Sequence, residues 1–311
     1  MKRVLVTGGA GFIGSVLIES LLDAEFQVTV LDNLMYRQTS LSHLFANPNF
    51  TFCFGDVRDY GKVNELLKTA DVVIPLAAIV GAPACSKDPS LATSVNKDSV
   101  LEMFKRLGKD QIVLMPTTNS AYGKGDRNGY CDETSPLNPI SLYARDKVEV
   151  ENELMSLPNT TSFRLATAFG VSPRMRLDLL VNNFVHKAMT DRYLVVFEGH
   201  FRRNFIHIRD IVQSFMLALS NFDVFRGQVF NVGLSEANLT KIELCRKIQD
   251  TVTDFVFHEA SLGKDPDQRD YLVSNKKIES VGFSPRYSLD YRINELMRAY
   301  PLFSYQPFTN I

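Results

Sequence analysis

The chain has 311 residues, 45% of them apolar and 22% charged, with a formal net charge of −1; this is an ordinary globular composition, long enough for one large domain or two. With 34 Lys and Arg set against 35 Asp and Glu and no basic run, it lacks the charge excess that neutralises phosphates in bulk. No nucleic acid and no membrane is therefore expected as a partner, and any phosphate contact must be local.

The first apolar run, KRVLV (2–6), breaks at Thr7 and Gly8, too early for a signal-peptide core. No later segment approaches the roughly 18 apolar residues that a spanning helix needs, so a cytoplasmic protein is expected. The four cysteines (Cys53, Cys85, Cys131, Cys245) lie far apart without a CxxC or paired histidines, which argues against a disulfide framework or a metal site.

The glycines of VLVTGGAGFIG, at 8, 11 and 14, stand between a predicted strand and a helix opening near Phe12. That spacing suits a tight turn, a close backbone approach to a pyrophosphate, and close packing of helix on strand. Gly8, Gly11, Phe12 and Ile13 are accordingly candidate contacts for a dinucleotide. A second strand, QVTVLD (27–32), ends in Asp32 beside Asn33. A carboxylate there accepts from the adenine ribose and repels a 2′-phosphate, which favours NAD over NADP, with Arg37 as the one residue that softens the preference. A third strand, FTFCFGD (50–56), ends at Asp56 and Val57, where an adenine amino group has an acceptor. A fourth, DVVIPLAA (71–78), ends in Leu76, Ala77 and Ala78, small enough for a nicotinamide ribose to pass. A fifth, QIVLMP (111–116), follows. Between them SVLIESLLDA, GKVNELLKT and NKDSVLEMFKRLG carry helical spacing. This alternation predicts an α/β fold, a Rossmann-type doubly wound parallel sheet covered on both faces.

TTNSAYG (117–123) offers hydroxyls and an amide but no carboxylate or histidine. SLYARDKVEVENELM (141–155) reads as a helix beginning near Tyr143, with Tyr143 and Lys147 on one face. A free phenol titrates near about 10, and reaching neutrality takes roughly 4 kcal/mol of differential stabilisation, for which an ammonium and a positive nicotinamide ring are suitable sources. Tyr143 is then the base for a substrate alcohol. SFRLATAFG reads as a sixth strand and loop. Beyond it, helices at 179–189, 211–220 and 241–251 mix with short strands, predicting a smaller mixed α/β lobe. The division expected is 1–165 for the NAD-binding domain and 166–311 for the second lobe, with part of 204–232 returning to the first. His207, in an alternating run, reads as structural, His186 carries no catalytic signal, and His200, next to the arginines, is either a surface residue or a rim contact.

Taken together, TGGAGFIG, LDNL, GDVRD, PLAA, Asn96, TTNSAYG, YARDK, RLATAFG, RRNFIHIRD and DQRDYLVSN resemble the extended short-chain dehydrogenase/reductases of the NAD-dependent nucleotide-sugar epimerase/dehydratase family. The resemblance implies that Thr118 is the catalytic hydroxyl that helps Tyr143 deprotonate a sugar C4 hydroxyl, and that Asn96 props the active-site helix or orders water. It implies a nucleotide-diphospho-sugar substrate, with Arg203 and Arg269 on the pyrophosphate. Arg174, Arg176 and Arg202 either join that cluster or lie on the surface. It further implies that Asn182, in LVNNF, binds near the phosphates and that Val80 and Gly81, in the loop after the fourth strand, face the sugar. Thr167 and Phe169 depart from the family pattern, which has Asn and Tyr there. A homodimer through helices 94–106 and 143–155 is expected, with Leu101 and Phe104 as its apolar face.

The family's 4,6-dehydratases have carboxyl groups directly after the catalytic Thr, whereas Asn119 and Ser120 stand there in this chain, as candidate substrate contacts. An amide cannot cycle a proton near neutrality, so dehydration is not expected. The cysteine used by 3,5-epimerase/4-reductases is also missing between 86 and 130. Three outcomes stay open: a 4-dehydrogenase that releases the ketone, a 4-epimerase that returns the hydride to the other face, and a 4-reductase. Within the family, PLAAIVGAPAC, SPRMRLDLLVNNF and HFRRNFIHIRD resemble the GDP-D-glycero-alpha-D-manno-heptose 4-dehydrogenases. A non-catalytic dinucleotide sensor is the competing class, although sensors usually lose the Tyr or Lys retained here.

Overall fold

The computed structural model describes residues 2–125, 129–261, 263 and 269–303; Asp267 and Gln268 of the DQRDY motif lie outside them. In chain order the first half runs β1 (Arg3–Thr7), α1 (Gly14–Asp23), β2 (Gln27–Asp32), β3 (Phe50–Phe54), α2 (Tyr60–Leu67), β4 (Val72–Pro75), α3 (Ala82–Lys87), α4 (Pro89–Thr93), α5 (Ser99–Phe104), β5 (Ile112–Thr118), β6 (Tyr130–Cys131), α6 (Leu142–Leu154) and β7 (Thr160–Leu165). The second half runs β8 (Thr167–Phe169), α7 (Leu180–Thr190), β9 (Tyr193–Phe197), β10 (Arg202–His207), α8 (Ile208–Ser220), α9 (Phe222–Phe225), β11 (Gln228–Val232), β12 (Asn238–Thr240), α10 (Lys241–Thr251), β13 (Val256–Ala260), β14 (Leu272–Val273), α11 (Lys276–Ser280) and α12 (Leu289–Phe303).

Seven strands form one parallel sheet in the order β11-β7-β5-β4-β1-β2-β3. Alternation along β1 sends Val4 and Val6 into one apolar layer, with α1 and α8, and Leu5 into the other, with α2, α5 and α6. Strand order reverses between β1 and β4, so the loops leaving their carboxyl ends diverge and open a crevice, the place where open α/β sheets bind ligands. The second lobe sits above that crevice, built on the short sheets β12-β10-β8, β13-β9 and β14-β6.

Three expectations are corrected here. The fourth strand stops at Pro75 because its pairing with β1 ends at Thr7, which leaves 76–78 as irregular backbone in the crevice. SFRLATAFG divides into two strands: Ala166 N–H still bonds Val232 O, but from Thr167 the chain pairs with Phe205 in the other lobe. Helix 94–106 opens with a π-helical segment, Ser94–Asp98, and its Phe104 is buried in the core, so the expected apolar outer face reduces to Leu101. Its outward side carries ion pairs instead, Lys97 with Glu149 and Arg106 with Glu102.

Candidate active site

The crevice is a cavity of about 460 Å³ lined from both lobes. Its floor is the turn after β1. Gly8 adopts φ +69°, and a Cβ there would stand 2.4 Å from Ala77 N, so the turn and the end of β4 meet only through glycine. A Cβ at Gly14 would stand 2.5 Å from Gly9 O, which is how α1 comes to point its N-terminus at the turn. Asp32, at the tip of β2, accepts from Ala10 N–H at 2.9 Å and Leu34 N–H at 2.8 Å, and burial raises its carboxyl despite these bonds. Arg37, by contrast, is exposed and outside the cavity lining, while Gln38 lines it and reaches Asp32 Oδ1 at 3.5 Å. Nothing cationic thus faces a ribose 2′ position from the residue that raised the question of NADP.

Asn33, Asp56, Val57, Leu76, Ala77 and Ala78 all line the same cavity. Asp56 is held down at about 2, chiefly by Arg58, which takes both carboxylate oxygens at 2.8 Å, while Asn33 donates to Oδ2 at 3.0 Å. An adenine amino group must therefore share an acceptor already in use. The glycine turn, the ribose-side carboxylate and the small residues at 77–78 fit a dinucleotide along this wall, with Gly8, Gly11, Phe12 and Ile13 beneath its phosphates.

The opposite wall carries the reacting groups. Ser141 caps α6 by accepting from Ala144 N–H at 3.2 Å, which sets Tyr143 in the first turn and Lys147 one turn on, and both line the cavity. Lys147 is 2% exposed, and burial lowers its ammonium to about 8 against an opposing pull from Asp146. Burial pushes the Tyr143 phenol up to about 12, with Arg176 and Arg269 pulling the other way. The protein's own groups therefore shift Tyr143 away from neutrality, and the expected fall rests on Lys147 together with the positive ring of bound nicotinamide. Thr118, at the end of β5, lines the cavity; it accepts from Ser120 N–H at 3.1 Å and donates to Ser120 Oγ at 2.9 Å.

Arg269 lines the cavity and donates to the same Ser120 Oγ, close beside Thr118. Arg203, 2% exposed, lies over the Tyr271 ring at 5.9 Å, bonds Arg269 O, and lines the cavity as well. Arg202 turns away to Asp270. Val80 and Gly81 face the cavity; Asn96 holds the loop before them by bonding Ile79 N–H at 2.7 Å and Ile79 O at 2.9 Å. Asn96 thus props this loop and not helix α6.

Two residues expected at the substrate are not in the lining. Asn182 accepts from Gly170 N–H at 3.0 Å and donates to Gly170 O and Arg176 O, so its amide holds the 170–176 loop in place. Asn119 is buried with neither amide atom hydrogen-bonded. Phe169 packs against His207, which is itself enclosed by Tyr287 and lies 3.2 Å from Glu295. His186 and His200 likewise lie outside the lining, whereas Thr167 belongs to it.

Arg174 and Arg176, for which a surface position was an open alternative, are 6% and 8% exposed and line the cavity. Their loop is drawn onto the glycine turn by Ser172, which donates to Phe12 O at 2.8 Å and meets Ser15 Oγ at 2.9 Å. Arg174 stacks over Tyr36 at 4.9 Å, and Arg176 pairs with Asp178 at 2.6 Å. Tyr36, Gln38 and Lys241 join the lining without any sequence signal beyond their polarity.

Residues 4–233 match the NAD dependent epimerase/dehydratase family. The low-salt glycan biosynthesis protein Agl12 of Haloferax volcanii is 31% identical over 304 residues, covering 92% of this chain and 94% of that protein. The CDP-paratose 2-epimerase of Salmonella typhi is 26% identical, covering 92% and 95%. Among solved structures, the dTDP-glucose 4,6-dehydratase DesIV of Streptomyces venezuelae, solved with NAD bound, superposes with a TM-score of 0.83 at 26% identity, over 97% of each chain.

Proposed function

We propose, from the premise that this chain belongs to the NAD dependent epimerase/dehydratase family, that it oxidises the C4 hydroxyl of a nucleotide-diphospho-sugar without eliminating water. The observation that carries this reading is a contrast within one cavity. Thr118, Tyr143 and Lys147 face the wall that fits the dinucleotide, while Ser120 in the same lining, and Asn119 buried just outside it, stand where an elimination needs carboxyl groups.

Bound along that wall, NAD supplies the hydride acceptor and, in its oxidised ring, a positive charge that opposes the burial shift of the phenol. Tyr143 Oη takes the hydroxyl proton as the C4–H bond breaks and its electron pair leaves with the hydrogen. Thr118 turns its hydroxyl from Ser120 to the same sugar oxygen and holds it. The Lys147 ammonium, charged below about 8, favours the phenolate. Arg203 and Arg269 meet the diphosphate, to which planar forked donors are suited.

The finer reading is a GDP-heptose 4-dehydrogenase that releases the ketone in surface-polysaccharide synthesis. It is supported by the segments 75–85, 172–184 and 200–210, and by a relative named for glycan biosynthesis. A 4-epimerase is the second reading, favoured by a relative, 25% identical, named as a putative UDP-glucose 4-epimerase, and by Gly81 in the loop assigned to the sugar, which leaves room for a ketone to turn over. Association as a homodimer through the helices at 94–106 and 143–155 belongs to the same reading, with Leu101 on the outer face.

Incubation with GDP-heptose and other nucleotide sugars, followed by product mass and nicotinamide absorbance, separates the outcomes. Loss of two hydrogens with NADH formed indicates the dehydrogenase, and unchanged mass with inverted C4 the epimerase. Loss of water would overturn the proposal, and no reaction with any sugar would favour a sensor.

A further inference from the structure

We propose that Glu151, paired with Arg164, is a positioning residue that fixes the Thr118 segment against the helix that carries Tyr143; this rests on the reading of Thr118 and Tyr143 as partners on one hydroxyl. Glu151 lies on the same face of α6 as Tyr143 and Lys147, four residues beyond the lysine. It is 3% exposed and lies outside the cavity lining, so its carboxylate does not meet substrate.

Its bonds all run to the two strands beneath the helix. Oε2 accepts from Thr117 Oγ1 at 2.8 Å, on β5, and from Ser162 Oγ at 2.5 Å, on β7. Oε1 accepts from Arg164 Nη2 at 2.6 Å and Nε at 3.0 Å. Arg164, 5% exposed, turns its remaining nitrogen to Tyr122 Oη at 3.0 Å, and Tyr122 donates onward to Asn231 Oδ1 at 2.7 Å. The ion pair therefore grips the stretch 117–122 at both ends, Thr117 through Glu151 and Tyr122 through Arg164. Thr118 stands between the two grips.

Stability alone does not explain this arrangement. Desolvating two charges opposes folding, and well-packed apolar residues fill such sites about as well or better. The surroundings offer that solution readily, since Met115, Val150 and Leu154, in the same apolar layer, are completely enclosed. What an apolar contact lacks is direction. Hydrogen bonds accepted by one carboxylate from β5 and β7, on a residue rigidly two turns from Tyr143, set where the Thr118 hydroxyl stands relative to the phenol. A misplacement of about 1 Å there costs on the order of 100-fold in rate.

The test compares Thr117→Val, which keeps the shape and removes the hydroxyl, with Thr117→Ser, which keeps the hydroxyl, and with Glu151→Gln. Thr117→Val and Glu151→Gln are expected to lower kcat by about tenfold or more, with KM for the nucleotide sugar and Kd for NAD within about twofold. Thr117→Ser is expected to restore kcat to within about twofold. In a Tyr143→Phe background Thr117→Val should add nothing, since the residue acts through the pair. A folded Thr117→Val with unchanged kcat, or an equal loss in Thr117→Ser, overturns the proposal; so does a lower melting temperature with kcat intact. Should Thr117→Val fail to fold, Glu151→Gln and Thr117→Ser decide by the same kcat-against-KM comparison. Failure of the parent reading looks different: Tyr143→Phe alone would then keep its turnover.

Discussion

The two walls of the cavity are made in different ways. The dinucleotide wall is backbone and strand ends, a glycine turn, a carboxylate at the tip of β2 and small residues after β4, all from one lobe and within the first 80 residues. The sugar wall is side chains, arginines delivered by the loop at 174–176, by β10 at 203 and by the loop at 269, reaching over the dinucleotide wall. Where a site is built from backbone shape, few substitutions are possible. Where it is built from long side chains on loops, the same fold can be turned to another sugar by changing a handful of residues.

The largest expected effect lies at the junction of the walls. Tyr143→Phe should lower turnover by about 100-fold to 10,000-fold while leaving NAD binding intact, measured by single-turnover kinetics and by titration with NAD. Near-normal turnover would remove Tyr143 as the base.

Lys147 tests what that junction costs the fold. Its ammonium is lowered to about 8 from an ordinary 10.5, so between those values the unfolded chain binds more protons than the folded one. Stability contributed by this group therefore rises as pH climbs from about 8 to 10.5, and the charged form at neutral pH is a burden on the order of 3 kcal/mol. Lys147→Met should raise the melting temperature at pH 7, with the gain shrinking toward pH 10, while kcat falls. A melting temperature that drops at pH 7 would show that the buried charge is compensated by contacts worth more than the shift implies.

The sharpest test of the division itself is a crossed pair. Asp32→Ala should weaken NAD by about tenfold or more, NADP less, and leave the KM for the sugar nearly unchanged; Arg203→Met should do the reverse, raising KM by about tenfold to 100-fold, as loss of a charged hydrogen bond implies. If both variants weaken both ligands equally, the walls are not independent and the second lobe closes only when both are filled.

The same contrast explains what could be read from the sequence. Gly8, Gly14, Asp32, Tyr143 and Lys147 were legible because their meaning lies in spacing along one strand, turn or helix. The Arg174–Arg176 pair was not, because what buries it is Ser172 bonding Phe12, a contact across 160 residues. Asn182 was misplaced for the same reason: LVNNF shows an amide near the right loop, but only the fold reveals that Gly170 and Arg176 consume it. The burial that raises the Tyr143 phenol is likewise a property of packing, which the spacing of Tyr143 and Lys147 along one helix does not show. Glu151 gave no signal at all, although its register with Lys147 is plain once Thr117 and Arg164 are seen beneath it.

The π-helical segment at Ser94–Asp98 has a consequence for how this site can change. Such a segment amounts to one surplus residue wound into a helix. Deleting one, Lys97 for instance, would let the helix rewind regularly, leaving the segments on either side close to their present orientation and re-aiming the side chains inside the wide turn, Asn96 among them. Asn96 would leave Ile79, and the loop bearing Val80 and Gly81 would lose its anchor. A one-residue gap in this helix, which carries none of Thr118, Tyr143 and Lys147, would thereby redraw the mouth through which the sugar enters.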